Sequence, residues 1–169
     1  MFLFFSCLFT TNSPDQALIE RFTTLHPPIY DVYELGDDSD ALHALLAGRF
    51  MGEALTHAYV EHFLAMTRLQ EQQTTIVVED VRYEDVAVLS RAGAQIRMSA
   101  DWVVEGTITH RGHSHTRTNR YAAIYTLMET EKGLRIVDTR LKNLERISGR
   151  LSSGARGGMT PLELLEQQP

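Results

Sequence analysis

Three histidines lie close together in the second half of the chain, at His110, His113 and His115. If Arg111 and Gly112 form a two-residue hairpin turn, which a glycine at positive φ permits, His110 lies opposite His113 in the paired strand. A His-x-His pair on one strand and a third imidazole from its partner are ligands that zinc sites use. One interpretation is therefore a zinc site. The other, which we favour, is a hairpin tip whose polar side chains meet water.

The same pairing decides which side chains share a face with these histidines. Directly opposed residues of antiparallel strands point the same way, so we expect Trp102 opposite Tyr121 and Met98 opposite Tyr125. A slip of one residue would put Trp102 over a polar row. The predicted inner face is therefore apolar around Trp102 and becomes polar toward the hairpin tip.

This face carries a second candidate site, a ligand pocket. Its predicted residues are Trp102, Arg117, Asn119, Tyr121 and Tyr125. The planar guanidinium of Arg117 is suited to an anionic ligand, which a pair of parallel hydrogen bonds would hold. A buried amide and a buried phenol need hydrogen-bond partners. Either a ligand or an internal network of side chains would supply them, and both interpretations stay open.

Asp138 is the one weak catalytic candidate. If Tyr125 faces Ile136 in the fourth strand, Asp138 points inward, and burial would raise its pKa toward that of a general base. If the register differs by one residue, Asp138 is solvated, and Val137 and Leu141 fill the core. The sequence of this strand fits both registers.

The elements that must position these side chains follow from the spacing of apolar residues. Helical spacing predicts helices near residues 14–25, 42–46 and 53–70, the first capped by Ser13. Alternation then predicts strands near residues 75–89, 94–108, 116–128 and 134–147. Helices followed by strands joined by tight turns are typical of an α+β fold. We predict an apolar segment at 1–12, a single domain at 13–147 and a flexible tail at 148–169.

Composition excludes some functions and leaves the compartment open. A hydrophobic content of 43% with 22% charged residues is globular, and a net charge of −6 argues against a nucleic-acid partner. The single cysteine, Cys7, forms no internal disulfide. Segment 1–12 is too short to span a bilayer as a helix and lacks a basic start. We favour a clipped signal or anchor over a lipoprotein-like segment at Cys7 or a buried strand, which would place the domain outside the cytoplasm near a membrane.

The order of elements, and residues 133–138 after a strand that ends at 125–128, resemble the nuclear-transport-factor-2-like (cystatin-like) superfamily. The resemblance covers about residues 14–147. It implies a strongly curved antiparallel sheet around the helices and a cone-shaped cavity, with Asp138 where some enzymes keep a pocket carboxylate. Members include isomerases, cyclases, dehydratases and non-catalytic adaptors, so the fold does not choose a function. Members often pair through the sheet, which implies a homodimer.

We favour a non-catalytic binding or protein-interaction domain, with a protein or small ligand as partner. An interaction domain predicts an exposed apolar patch or a self-association surface. Two alternatives stay open. One is a small-molecule pocket, either for binding alone or as an isomerase-like or cyclase-like enzyme. The other is a metal-binding accessory domain, in which His110, His113 and His115 hold zinc.

Overall fold

A computed structural model describes residues 13–148 of the chain. The predicted apolar segment 1–12, with Cys7, and all of the predicted tail 148–169 beyond its first residue lie outside the described residues. The helices are α1 Pro14–Leu25, a 3-10 helix Pro27–Glu34, α2 Ser39–Ala47 and α3 Glu53–Glu71, and the strands are β1 Thr74–Ala92, β2 Gln95–His110, β3 His113–Thr130 and β4 Gly133–Ser148. The predicted α+β class, with helices before an antiparallel meander, is confirmed. The arrangement is consistent with the cone fold that the resemblance implies.

The first helix and the segment after it are set by local sequence. Ser13 caps α1, and its Oγ accepts a hydrogen bond from the backbone N–H of Gln16 at 3.2 Å. After α1, a 3-10 helix begins at Pro27. Its period of about three residues places Ile29 and Val32 together in the core. That period also brings Tyr30 and Tyr33 to one side, where both line the pocket described below.

The four strands form one sheet in the order β1-β2-β3-β4, with every neighbouring pair antiparallel. Arg111 and Gly112 make the β2–β3 turn at φ values of 48° and 80°. The register is the predicted one: Trp102 pairs with Tyr121 and His110 with His113. The predicted two-residue turn and the predicted register of this hairpin are therefore confirmed.

Three β-bulges curve the first strand. The pairing of β1 with β2 skips Glu79, Glu84 and Leu89, so two successive residues point outward at each bulge. Between and before the bulges, the partly buried apolar side chains of the strand lie on the concave face and pack against the core: Val78, Val81, Tyr83, Val86 and Val88. The repeated extra residue thus bends β1 without turning its apolar face away from the helices.

The core lies between the concave face of the sheet and the helices. On the sheet its centre is formed by Met98, Leu127 and Ile136, and on the helical side by Phe22 and Leu46. On α3 the buried side chains are Ala58, Ala65, Met66 and Leu69, whereas Phe63 is 44% exposed.

Candidate ligand pocket

A pocket opens on the concave face toward the β2–β3 hairpin. Its volume is about 70 Å³, whereas one water needs roughly 10–15 Å³ of such space, so several non-hydrogen atoms fit. The 3-10 helix and three strands supply its lining residues: Tyr30, Tyr33, Ile76, Val78, Val104, Gly106, Ile108, Arg117, Asn119 and Tyr121. The walls are aliphatic and aromatic, and the third strand brings the polar groups.

Gly106 makes room in the floor of this pocket. It lies between Val104 and Ile108 on the inner face of β2 and pairs with Val78 on one side and Arg117 on the other. A Cβ at this position would come 2.6 Å from the carbonyl oxygen of Val77, closer than real contacts allow. The close approach of β1 therefore requires glycine here, and the missing side chain leaves space beside the guanidinium of Arg117.

Arg117 is a buried cation at the polar side of the pocket. Only 8% of the residue is exposed. Burial lowers the pKa of its guanidinium, and the positive charge of Arg146 lowers it further. Arginine nevertheless stays protonated at neutral pH because its reference pKa is above 12. None of the ten described lining residues is acidic.

Asn119 and Tyr121 place further polar atoms beside Arg117. The Nδ2 of Asn119 donates a hydrogen bond to the hydroxyl of Tyr121 at 3.3 Å. The Oδ1 of Asn119 is buried and accepts no hydrogen bond among the described residues. Burial raises the pKa of Tyr30, Tyr33 and Tyr121, so their hydroxyls remain protonated near neutral pH. These phenols can therefore donate hydrogen bonds to a ligand.

Trp102 and Tyr125, two of the five residues predicted for the pocket, lie behind it. The Trp102 indole is 3% exposed and stacks on Tyr121, with ring centroids 5.1 Å apart and planes at 12°. Its Nε1 donates a hydrogen bond to the hydroxyl of Tyr30 at 2.8 Å. Trp102 thus supports two pocket walls without lining the space itself. Arg117, Asn119 and Tyr121 do line it.

His26 contacts Trp102 and Tyr125 behind the pocket, and it was not among the site residues predicted from the sequence. Its Nδ1 lies 2.7 Å from the hydroxyl of Tyr83, and its Nε2 lies 2.7 Å from that of Tyr125. Burial lowers the pKa of His26 to about 3, so the ring is neutral and donates to one hydroxyl while accepting from the other. One sequence signal was available: His26 follows Leu18 and Phe22 at a spacing of four, which continues the apolar stripe of α1.

The hairpin histidines divide into a close pair and a third residue. The rings of His110 and His115 lie 5.4 Å apart at 79°. Burial lowers the pKa of His115, and the nearby charges of His110, Arg146 and Arg117 lower it further. Over residues 13–148, no three His, Cys, Asp or Glu side chains are grouped so that they could hold a metal ion. The structure therefore does not bring His110, His113 and His115 together as three zinc ligands.

Asp138 lies outside the pocket. A bulge at Val137 separates two registers in β4: Ile136 pairs with Leu127 on the inner face, and Asp138 pairs with Thr126. Asp138 is exposed. Neither continuous register considered from the sequence describes this strand, because the extra residue changes the facing between Ile136 and Asp138. A general base would have to come from another side chain.

The helical side presents apolar residues to solvent. Val60, Phe63 and Leu64 of α3 are 49%, 44% and 44% exposed, and their spacing puts them on one face. An interaction domain predicts such a patch, although the partner and the homodimer stay predictions. Across the described residues, no helix combines the length and the hydropathy that crossing a membrane requires.

Comparison with known proteins gives weak structural likenesses. No family model matches the chain, and no curated protein matches it either. The intermembrane space region of chloroplast protein ARC6 is similar over 70% of this chain and 91% of its own, at 13% identity and a TM-score of 0.48. A "putative aromatic ring hydroxylase" from Novosphingobium aromaticivorans is similar over 76% of this chain and 94% of its own, at 15% identity and a TM-score of 0.43.

Proposed function

We propose that this is a non-catalytic binding domain whose concave pocket takes a small organic anion. A carboxylate of the ligand binds Arg117, and a short apolar part packs between Val104 and Ile108. The observation that carries the proposal is the placement of a guanidinium that is only 8% exposed in a pocket without an acidic lining residue. An anion in that place gains the strong, charge-assisted hydrogen bonds that arginine forms with carboxylates.

Asn119 further restricts the chemical class of the ligand. A buried amide oxygen without a hydrogen-bond partner is costly, by about 1–3 kcal/mol, and a ligand hydroxyl or amine would remove that cost. A hydroxy acid satisfies both groups, since its carboxylate accepts from Arg117 and its hydroxyl donates to Asn119. The ligand is small because the cavity holds about 70 Å³.

Binding rather than catalysis is supported by the chemistry of the lining. The ten lining residues contain no carboxylate, imidazole or thiol that could act as a base or nucleophile. Their three phenols have raised pKa values, so they stay protonated at neutral pH; a protonated phenol offers no free base, and its high pKa makes it a weak acid. Asp138, the one carboxylate considered for catalysis, is exposed outside the pocket.

The single tryptophan of the chain provides a direct reporter. Trp102 stacks on Tyr121 and donates to Tyr30, both of which line the pocket. In ¹⁵N-labelled protein its indole N–H gives one resonance, which we expect to shift on titration with butanoate and with 2-hydroxybutanoate. Butanamide, which has no charge, should leave it in place.

Variants separate the pocket from the rest of the surface. Arg117→Gln should abolish the butanoate shift. Arg97→Gln should keep it, because that exposed arginine lies on the opposite face of the sheet. Circular dichroism checks that both variants are folded. Equal shifts in wild type and Arg117→Gln, or no shift with either acid, would contradict the proposal.

A further inference from the structure

The mouth of the pocket continues into a row of basic side chains toward the hairpin tip. His115 pairs with Ile108, which lines the pocket, and it precedes Arg117 by two residues, so both side chains lie on the concave face. His110 joins the row through its ring contact with His115 at 5.4 Å. Arg146 of β4 pairs with Asn119, which also lines the pocket. Arginines and histidines from three strands thus meet at one end of the cavity.

From this arrangement we infer that the ligand is a small dicarboxylate, with one carboxylate on Arg117 and the second at the histidine pair, and that binding tightens as the pH falls. The inference rests on the proposed function, because Arg117 holds the first carboxylate. It adds a use for His110 and His115 that needs only two imidazoles, in contrast to the three ligands of a zinc site.

The pH dependence follows from the charges around His115. The charges that act on it are His110 from β2, Arg117 from its own strand and Arg146 from β4, and all of them disfavour a protonated ring. On the β1 side, the residue paired with His110 is the uncharged Thr74, and the nearest acidic residue before it in the chain is Glu71, at the end of α3. A bound carboxylate reverses this balance, so it favours protonation of the pair, and proton uptake accompanies binding.

Succinate and butanoate form a matched pair of probes, since both have four carbons and differ by one carboxylate. Between pH 8.0 and 6.2, where succinate stays largely ionised, we expect the dissociation constant of succinate to fall by about threefold to tenfold. The dissociation constant of butanoate should change by less than about twofold over the same range. The Trp102 indole resonance and isothermal titration calorimetry follow both ligands.

The variant His110→Gln with His115→Gln should bind succinate with no pH dependence while butanoate binding stays unchanged. His57→Gln is the matched control, because His57 is an exposed histidine on α3. If butanoate binds through Arg117 but succinate binds no tighter and shows no pH dependence, this inference fails and the proposed function stands. If succinate binds with the expected pH dependence in Arg117→Gln as well, the proposed function fails. If neither succinate nor butanoate binds, both the proposed function and this inference are overturned.

Discussion

The indole Nε1 of Trp102 lies 2.8 Å from the hydroxyl of Tyr30 and donates a hydrogen bond to it. This bond joins the centre of the sheet to the 3-10 helix, whose tyrosines form one wall of the pocket. The pocket therefore depends on a residue that does not line it, and the strength of this link can be measured.

A double-mutant cycle on Trp102→Phe and Tyr30→Phe should show a favourable coupling of about 0.5–1.5 kcal/mol. Each single change leaves one buried polar group without its partner, whereas the double change removes both groups. Urea unfolding followed by circular dichroism gives the stabilities of all four proteins, including the two that lack Trp102. Additive losses would mean that the bond contributes nothing to stability.

The hydrogen bonds of His26 predict that the effect of Tyr125→Phe on stability depends on whether His26 is present. In the wild type, Tyr125→Phe removes the partner of a buried imidazole nitrogen and should destabilise by about 1–3 kcal/mol. In a His26→Phe background the Tyr125 hydroxyl has already lost that partner, so the same change should be neutral or stabilising. Chemical unfolding of the four proteins measures this. An equal loss in both backgrounds would show that the two rings do not depend on each other.

Stability should fall in mild acid because the buried His26 and the half-buried His62 are held neutral in the folded protein. Folding lowers the pKa of His26 from 6.5 to about 3 and that of His62 from 6.5 to about 4, both through burial. The unfolded chain binds protons more readily, so the stabilisation is complete above pH 6.5 and is lost as the pH drops toward these values. For each group the loss approaches about 1.4 kcal/mol per pH unit.

Urea unfolding at pH 7.5 and at pH 5 tests this dependence. The difference in unfolding free energy should shrink in His26→Phe, which removes one of the two titrations, and part of it should remain through His62. If His26→Phe kept the full wild-type difference in unfolding free energy between the two pH values, His26 would not be the neutral, buried group that its contacts with Tyr83 and Tyr125 indicate.

Gly106→Ala should destabilise the fold by about 1–3 kcal/mol and close part of the pocket floor. The added Cβ would meet the Val77 carbonyl oxygen, a backbone atom that cannot move without shifting β1. Gly48→Ala is the matched control, since Gly48 has a φ of −68° and its nearest atom to a Cβ is 3.4 Å away. The control should change stability by less than about 1 kcal/mol. Comparable losses in both variants would refute the steric argument.

Turn chemistry and pleat parity made the β2–β3 hairpin predictable. A two-residue turn at Arg111 and Gly112 leaves one register in which apolar Trp102 shares a face with Tyr121, and the structure has that register. Three predicted pocket residues line the cavity for the same reason: Arg117, Asn119 and Tyr121. Alternation fixes the face of a side chain. It cannot show that the cavity ends before Trp102, which depends on how closely the 3-10 helix packs.

The facing of Asp138 could not be predicted, because one extra residue at Val137 changes the parity of β4. The sequence does contain an indication of the bulges in β1. Its concave residues are interrupted by the acidic pairs Glu79-Asp80 and Glu84-Asp85, and each pair has one residue too many for simple alternation. The contacts of His26 join residues 57 and 99 positions apart, so they arise from tertiary packing that local patterns do not contain.

The bulges of β1 also bear on how this sheet meets other chains. An outermost strand offers unpaired N–H and C=O groups on which a foreign strand can add, and long, flat, regular edges are the ones that seed aggregates. In β1 the repeat is broken at Glu79, Glu84 and Leu89, five residues apart, and two of these positions carry negative charge. On the opposite edge, Ile136 of β4 already exchanges backbone hydrogen bonds with Arg49 and Met51. The bulges that curve β1 thus also make this edge of the sheet a poor template for an added strand.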